Sequence, residues 1–275
     1  MGIIRLKKDN AGNAAAQTAV SEEANAVRAE RQYESLPQGA LFENKNRETA
    51  YQNVFRFNNG TTRQFISGAP KNYKSAKTNV YEKIRTRLNK NADGDFECLE
   101  NVFDTKFYAA AGNEKIYLMK KDGCEVGLTA RSIKGGNIPE ELLEDDKGNK
   151  VILKQVREGV DIEYELESNR IKENIIIRER QENYVFDFGI DLTNLNVSIA
   201  DDYRSIALKS KENGNTIFKI PSPVMYDANG EYSDEVSYEI SEEEGGMSIK
   251  VVADSDYFNA PERAFPVIID PQIIV

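Results

Sequence analysis

The chain has 275 residues, with 36 Lys and Arg against 46 Asp and Glu, a net charge of −10 and a mean hydropathy of −0.59. That balance argues against nucleic acid and anionic membranes as partners, because phosphate binding needs Lys and Arg clustered on one face. There is no histidine, which removes Ser-His-Asp and Cys-His nucleophiles, HExxH zinc sites and the imidazole base, and leaves carboxylate pairs, Lys, Tyr or an oxygen-ligated metal for any enzyme.

The hydrophobic share of 40% suffices for a core, and no apolar run reaches the ~18 residues of a membrane span. The start, MGIIRLKKDNAGNAAAQ, lacks the apolar region of a signal peptide. Ala19 to Tyr33 could form a helix, with Ser21 as its N-cap, although its Ala and Val stripe buries little. From Ala50 the pattern changes to period two. Val54 to Phe57 reads as a strand, Asn58-Asn59-Gly60-Thr61 as a tight turn and Arg63 to Ser67 as the return strand. Tyr81 to Leu88 fits a helix or a strand. Gly135 to Pro139 and the polar Glu140 to Lys150 read as a linker.

The later half alternates more clearly. Val160, Ile162, Tyr164 and Leu166 form one row, with Asp161, Glu163, Glu165 and Glu167 on the other face. Tyr184 to Leu192, Ile206 to Lys209, Thr216 to Ile220, Val236 to Ile240 and Ser248 to Val252 are further strands, separated by turn signals such as Asp227-Ala228-Asn229-Gly230. The expected fold class is all-β, with antiparallel sheets in two packed, sandwich-like lobes after a short helical or disordered tail. The expected divisions are residues 1–35 (tail or helix), 36–135 (first lobe), 136–150 (linker) and 151–275 (second lobe).

Two motifs carry possible chemistry. The acidic row from Asp161 to Glu167 could bind a cation or supply a hydrolytic carboxylate pair, but it reads first as a solvated sheet face. The stretch NKNADGDFECLE, Asn89 to Glu100, fits the calcium-loop template at all but its first position. Its candidate metal ligands are Asn89, Asn91, Asp93, Asp95 and Glu100. The following segment reads as two strands and a turn, so a loop tip between strands is the plainer reading. No catalytic residue and no cofactor is expected. Cys98 and Cys124 are either a disulfide or two free thiols.

Val160 to Glu179, Ile217 to Ile240 and Asp256 to Val275 resemble a β-rich module of large bacterial surface proteins, the wall-associated, YD-repeat (Rhs-type) and DNRLRE-domain families. The matching positions are Asp161 and Tyr164; Lys172, Glu173 and Ile175; Pro221, Pro223, Met225, Asp227 and Gly230; and Pro266, Val267, Ile269, Asp270 and Pro271. The resemblance implies a non-enzymatic structural or interaction module that positions neighbouring domains of a bacterial surface or secreted polypeptide. The alternative is a carbohydrate-binding module or a glycosidase using carboxylates near Glu163. It further implies an extracellular or wall-associated location, with other domains of a larger polypeptide or cell-wall material as partners, and a monomer with no nucleic-acid partner.

Overall fold

The computed structural model describes residues 36–109, 115–131, 148–199, 205–243 and 246–275. The helix expected over Ala19 to Tyr33 and most of the expected 136–150 linker lie outside these residues. Among the described residues the chain is antiparallel β with one short α-helix, so the all-β expectation holds. The chain divides into two units. The first takes in the described residues up to Glu48 together with Gln52–Ile66; the second takes in Thr49–Tyr51 and the described part of Ser67–Val275.

The first unit is a meander of β1 (Ala40–Glu43), β2 (Gln52–Phe57) and β3 (Thr62–Ile66). Gly60, at φ +80°, closes the turn where Asn58 to Thr61 predicted one. Phe55 and Phe57 are buried, and Phe65 meets Phe55 edge-on at 5.4 Å.

The second unit opens with a hairpin of β4 (Asn72–Lys74) and β5 (Tyr81–Lys83). Next come β6 (Asn89–Lys90), β7 (Phe96–Cys98), β8 (Asp104–Phe107), β9 (Lys115–Lys121) and β10 (Cys124–Ala130), of which β7 to β10 each pair with the one before. A second meander follows: β11 (Lys150–Arg157), β12 (Val160–Leu166) and β13 (Arg170–Ile177). The chain then returns to pair β14 (Val185–Thr193) with β10. It crosses again for β15 (Leu195–Ile199), β16 (Ile206–Ser210), β17 (Thr216–Ile220), β18 (Met225–Tyr226) and β19 (Tyr232–Ser233). The hairpin β20 (Val236–Glu243) and β21 (Gly246–Ala253) completes an eight-stranded sheet of order β20-β21-β14-β10-β9-β8-β7-β6. After α1 (Ser255–Asn259), β22 (Val267–Ile269) and β23 (Gln272–Ile274) both pair with β13, in the ten-stranded sheet.

The inner faces of these two sheets share one apolar core, drawn from residues between Leu88 and Ile273. Period-two alternation explains the burial. Ile162, Tyr164 and Leu166 of β12 are fully buried, as their row predicted. Each such side chain contributes about 1.5–3 kcal/mol by leaving water. Tyr164 meets Phe107 of β8 at 6.0 Å and Tyr117 of β9 at 5.4 Å, which ties one sheet to the other. Cys98 and Cys124 are both free and buried. Burial pushes the Cys98 thiol up to about 11, so it stays protonated.

Candidate functional site

The calcium-like stretch lies between strands. Asn89 is in β6, and Asn91 to Asp95 turn the chain into β7, whereas an EF-hand sets its loop between helices. Asn91 Oδ1 accepts the backbone N–H of Asp93 and of Asp95, each at 3.0 Å. Asp95 receives Lys106 at 2.7 Å and the Ala109 N–H at 2.9 Å. Burial pushes its carboxyl up, but these donors hold it below the usual range. Glu100 instead faces Arg85 at 3.8 Å. The candidate oxygens thus serve protein donors along a hairpin. Among the described residues no three Asp, Glu or Cys side chains gather to hold a metal.

The acidic row of β12 is matched by donors from neighbouring strands. Asp161 accepts the Gln155 N–H at 2.8 Å and Arg178 at 2.7 Å; despite burial, these hold its carboxyl below the usual range. Lys150 sits 3.2 Å from Glu163 and 3.3 Å from Glu165, and Arg170 forks onto Glu167. The arrangement is a ladder of carboxylates neutralised by cations beside them.

Sequence reasoning named Glu173 only as a position of the resemblance and gave it no role. The available signal was a carboxylate in the inward row of β13, between Ile171 and Ile175. Tyr164 donates to Glu173 Oε1 at 3.0 Å. Burial, aided by the charge of nearby Asp270, pushes this carboxyl up to about 8, so it is neutral at neutral pH. It borders a cavity of about 20 Å³, lined also by Tyr117 and Tyr238. That is room for one water-sized molecule and far too little for a sugar or nucleotide. A larger hollow of about 530 Å³ lies beside β14 and β21; among the described residues its charged lining groups are Asp191 and Glu242, which repel phosphate.

The cations are unevenly placed. Residues 1–135 carry 22 Lys and Arg against 16 Asp and Glu, and residues 136–275 carry 14 against 30. The densest cationic stretch is 71–90. Lys71, Lys74, Lys77, Lys83, Arg85, Arg87 and Lys90 stand there against one carboxylate, Glu82, and all seven are exposed. Glu82 is engaged within the hairpin, accepting the hydroxyls of Thr78 at 2.6 Å and Tyr73 at 3.4 Å.

Alternation sets the direction of this row. Lys83, Arg85 and Arg87 are exposed, while Ile84, Thr86 and Leu88 between and after them are partly or fully buried. The backbone beneath is pinned at several points. Ile84 N–H donates to Lys71 O, Arg85 N–H to Glu100 O and Leu88 N–H to Gly148 O, each at 2.9 Å. The Cys98 thiol donates to Arg85 O at 3.1 Å. Asn72 anchors the hairpin through its amide to Thr49 O at 2.9 Å. Guanidinium groups on so fixed a backbone can grip phosphate with paired donors.

No family model and no solved structure matches the chain. It is similar to curated proteins of Bacillus. The tRNA nuclease WapA of Bacillus subtilis strain 168 is 26% identical over 204 residues, 70% of this chain and 9% of that protein. The tRNA3(Ser)-specific nuclease WapA of Bacillus spizizenii is 25% identical over 225 residues, 77% of this chain and 10% of that protein. The tRNA(Glu)-specific nuclease WapA of Bacillus subtilis subsp. natto is 30% identical over 142 residues, 48% of this chain and 6% of that protein. The chain spans a tenth or less of the length of these relatives.

These likenesses correct several expectations. The relatives are named as tRNA nucleases, and nothing in the comparisons carries the YD-repeat, Rhs or DNRLRE assignment. The residues behind that assignment are Pro, Gly and Asp outside the strands together with alternating strand positions, which many antiparallel β-proteins use for the same backbone and packing reasons. The expectations of a non-enzymatic module and of a carbohydrate-binding module or glycosidase fall with it, because the relatives are named for an enzymatic activity on RNA. The exclusion of nucleic acid is overturned by the same names. The physical error was to read net charge, a sum over the molecule, as a local property; the 71–90 stretch is strongly cationic within an acidic chain. No helix among the described residues is long and apolar enough to cross a membrane.

Proposed function

We propose that the chain is a segment of a tRNA-cleaving polypeptide, and that its share in that activity is to hold RNA on the 71–90 surface. The observation that carries this reading is the density of exposed cations in the 71–90 stretch, seven in 20 residues, with Lys83, Arg85 and Arg87 at every second position and the backbone around Arg85 fixed by hydrogen bonds. The names of relatives matched over 70% and 77% of this chain support it. RNA carries one charge per phosphate, and displacing its counterions is the main source of affinity for such a surface. Arg85 and Arg87 supply planar forks for phosphate oxygens; the lysines supply point charges around them. Cell-wall association of the whole polypeptide belongs to the same proposal, and fractionation of cells producing it tests that part.

The experiment is fluorescence anisotropy of labelled tRNA titrated with the purified chain over a series of salt concentrations. Binding weakens with salt, and the double substitution Arg85→Gln with Arg87→Gln lowers the log–log slope by about 1.4, at about 0.7 for each phosphate no longer neutralised on a single strand. Denaturing gels of the same mixtures read whether cleavage accompanies binding. Binding that ignores salt, or that is unchanged in the double variant, overturns the assignment of this surface.

A further inference from the structure

The cationic row has a shape as well as a charge. Tyr81, Lys83, Arg85 and Arg87 fall at every second residue, and Tyr81 at its head is half-buried. Lys74 stands directly opposite Tyr81 across the hairpin. β5 ends at Lys83, and even a fully extended chain would carry Lys83 to Arg87 over no more than about 14 Å. Double-stranded RNA is gripped otherwise. Its readers reach across two successive minor grooves over about 16 base pairs. A short single line of cations cannot bridge the two backbones of a duplex over such a length. Proteins for single strands combine a cationic track for the backbone with an aromatic ring on which a base stacks. The 81–87 row has both components side by side.

We infer that this surface takes single-stranded RNA, such as the loops and ends of a tRNA, in preference to its helical stems; the inference rests on the RNA-holding reading above. The backbone lies along Lys83, Arg85 and Arg87, and one unstacked base lies against the Tyr81 ring. Arg85 also faces Glu100 at 3.8 Å, an exposed ion pair that a phosphate has to displace.

The test titrates the full chain into a labelled single-stranded oligoribonucleotide and, separately, into an RNA duplex containing the same sequence. The single strand binds about tenfold more tightly, and Tyr81→Ala removes about tenfold from that affinity while leaving duplex binding unchanged. Tyr81→Phe keeps the ring and retains single-strand affinity, which separates loss of stacking from loss of fold. Equal affinity for the two RNAs, or a Tyr81→Ala variant with intact circular dichroism and undiminished single-strand binding, overturns the inference while leaving the RNA-holding reading in place. Failure of both RNAs to bind overturns the reading itself and the inference with it.

Discussion

Glu173→Gln exchanges a buried carboxyl for an amide of nearly the same shape, and its consequence is a change in how stability depends on pH. The unfolded chain releases the Glu173 proton near 4.5, whereas the folded chain holds it to about 8. Between those values the folded state binds one proton more than the unfolded state, so stability falls as pH rises. The contribution is fully present below about 4.5, is lost progressively up to about 8 and does not change further above it. One proton corresponds to about 1.4 kcal/mol per pH unit, which over this interval sets an upper limit of about 5 kcal/mol. The surroundings explain why nothing offsets the charge. The titratable groups near the carboxyl are Tyr117, Tyr164, Tyr238 and Asp270, all raised from their usual values, and Lys172 is committed to Asp270 at 3.3 Å. The amide that replaces the carboxyl cannot ionise, and its carbonyl oxygen can still accept the Tyr164 hydroxyl. Guanidinium unfolding followed by tyrosine fluorescence, with both proteins at each pH, isolates the difference from titrations they share. The variant gains on the parent by up to several kcal/mol between about pH 5 and about pH 8. Parallel stability curves across that range would refute the argument that this carboxyl is neutral in the core.

Two further outcomes follow from the same packing. Ile162→Ala costs about 2–4 kcal/mol in denaturant unfolding because the side chain is fully buried, whereas Glu163→Ala costs about 1–3 kcal/mol because it leaves the buried Asn174 amide without this acceptor and Lys150 without one of its two carboxylates. Asp227→Asn destabilises by about 2–4 kcal/mol, since the buried carboxylate accepts the N–H groups of Asn229, Glu231 and Ala264 as well as Arg263. Despite burial, those donors hold its pKa below the usual range, so its contribution is present above the ordinary value near 3.8 and lost as pH falls through the folded value. Acid titration of the parent and of the Asn variant checks this through the shape of the low-pH limb.

What was legible in the sequence was what is local. Alternation identified β12, β14 and the row Ile162, Tyr164, Leu166 because side-chain direction in a strand repeats every two residues whatever the partner. The Asn58-Asn59-Gly60-Thr61 and Asp227 to Gly230 turns were legible for a similar reason, since Gly60 and Gly230 occupy positive φ. The partners of the acidic row were not legible. Lys150 and Arg178 reach it from adjacent strands, and pairing register is set by the whole sheet. The calcium-like spelling is ambiguous for a chemical reason: the oxygens that can ligate an ion can also accept backbone N–H groups in a turn, as Asn91 does, and spacing alone does not separate the two. The cationic row lay between these cases. Lys83, Arg85 and Arg87 alternating with Ile84, Thr86 and Leu88 already placed the charges on one side of any strand formed there. Summing charge over 275 residues hid them, because the carboxylates that offset them lie mostly after residue 135. Coulombic attraction for a phosphate is screened over about 8–10 Å at ordinary ionic strength. A binding surface therefore responds to the charges within that radius, which around Arg85 include Glu100 at 3.8 Å as well as the neighbouring cations, and not to the sum over the chain.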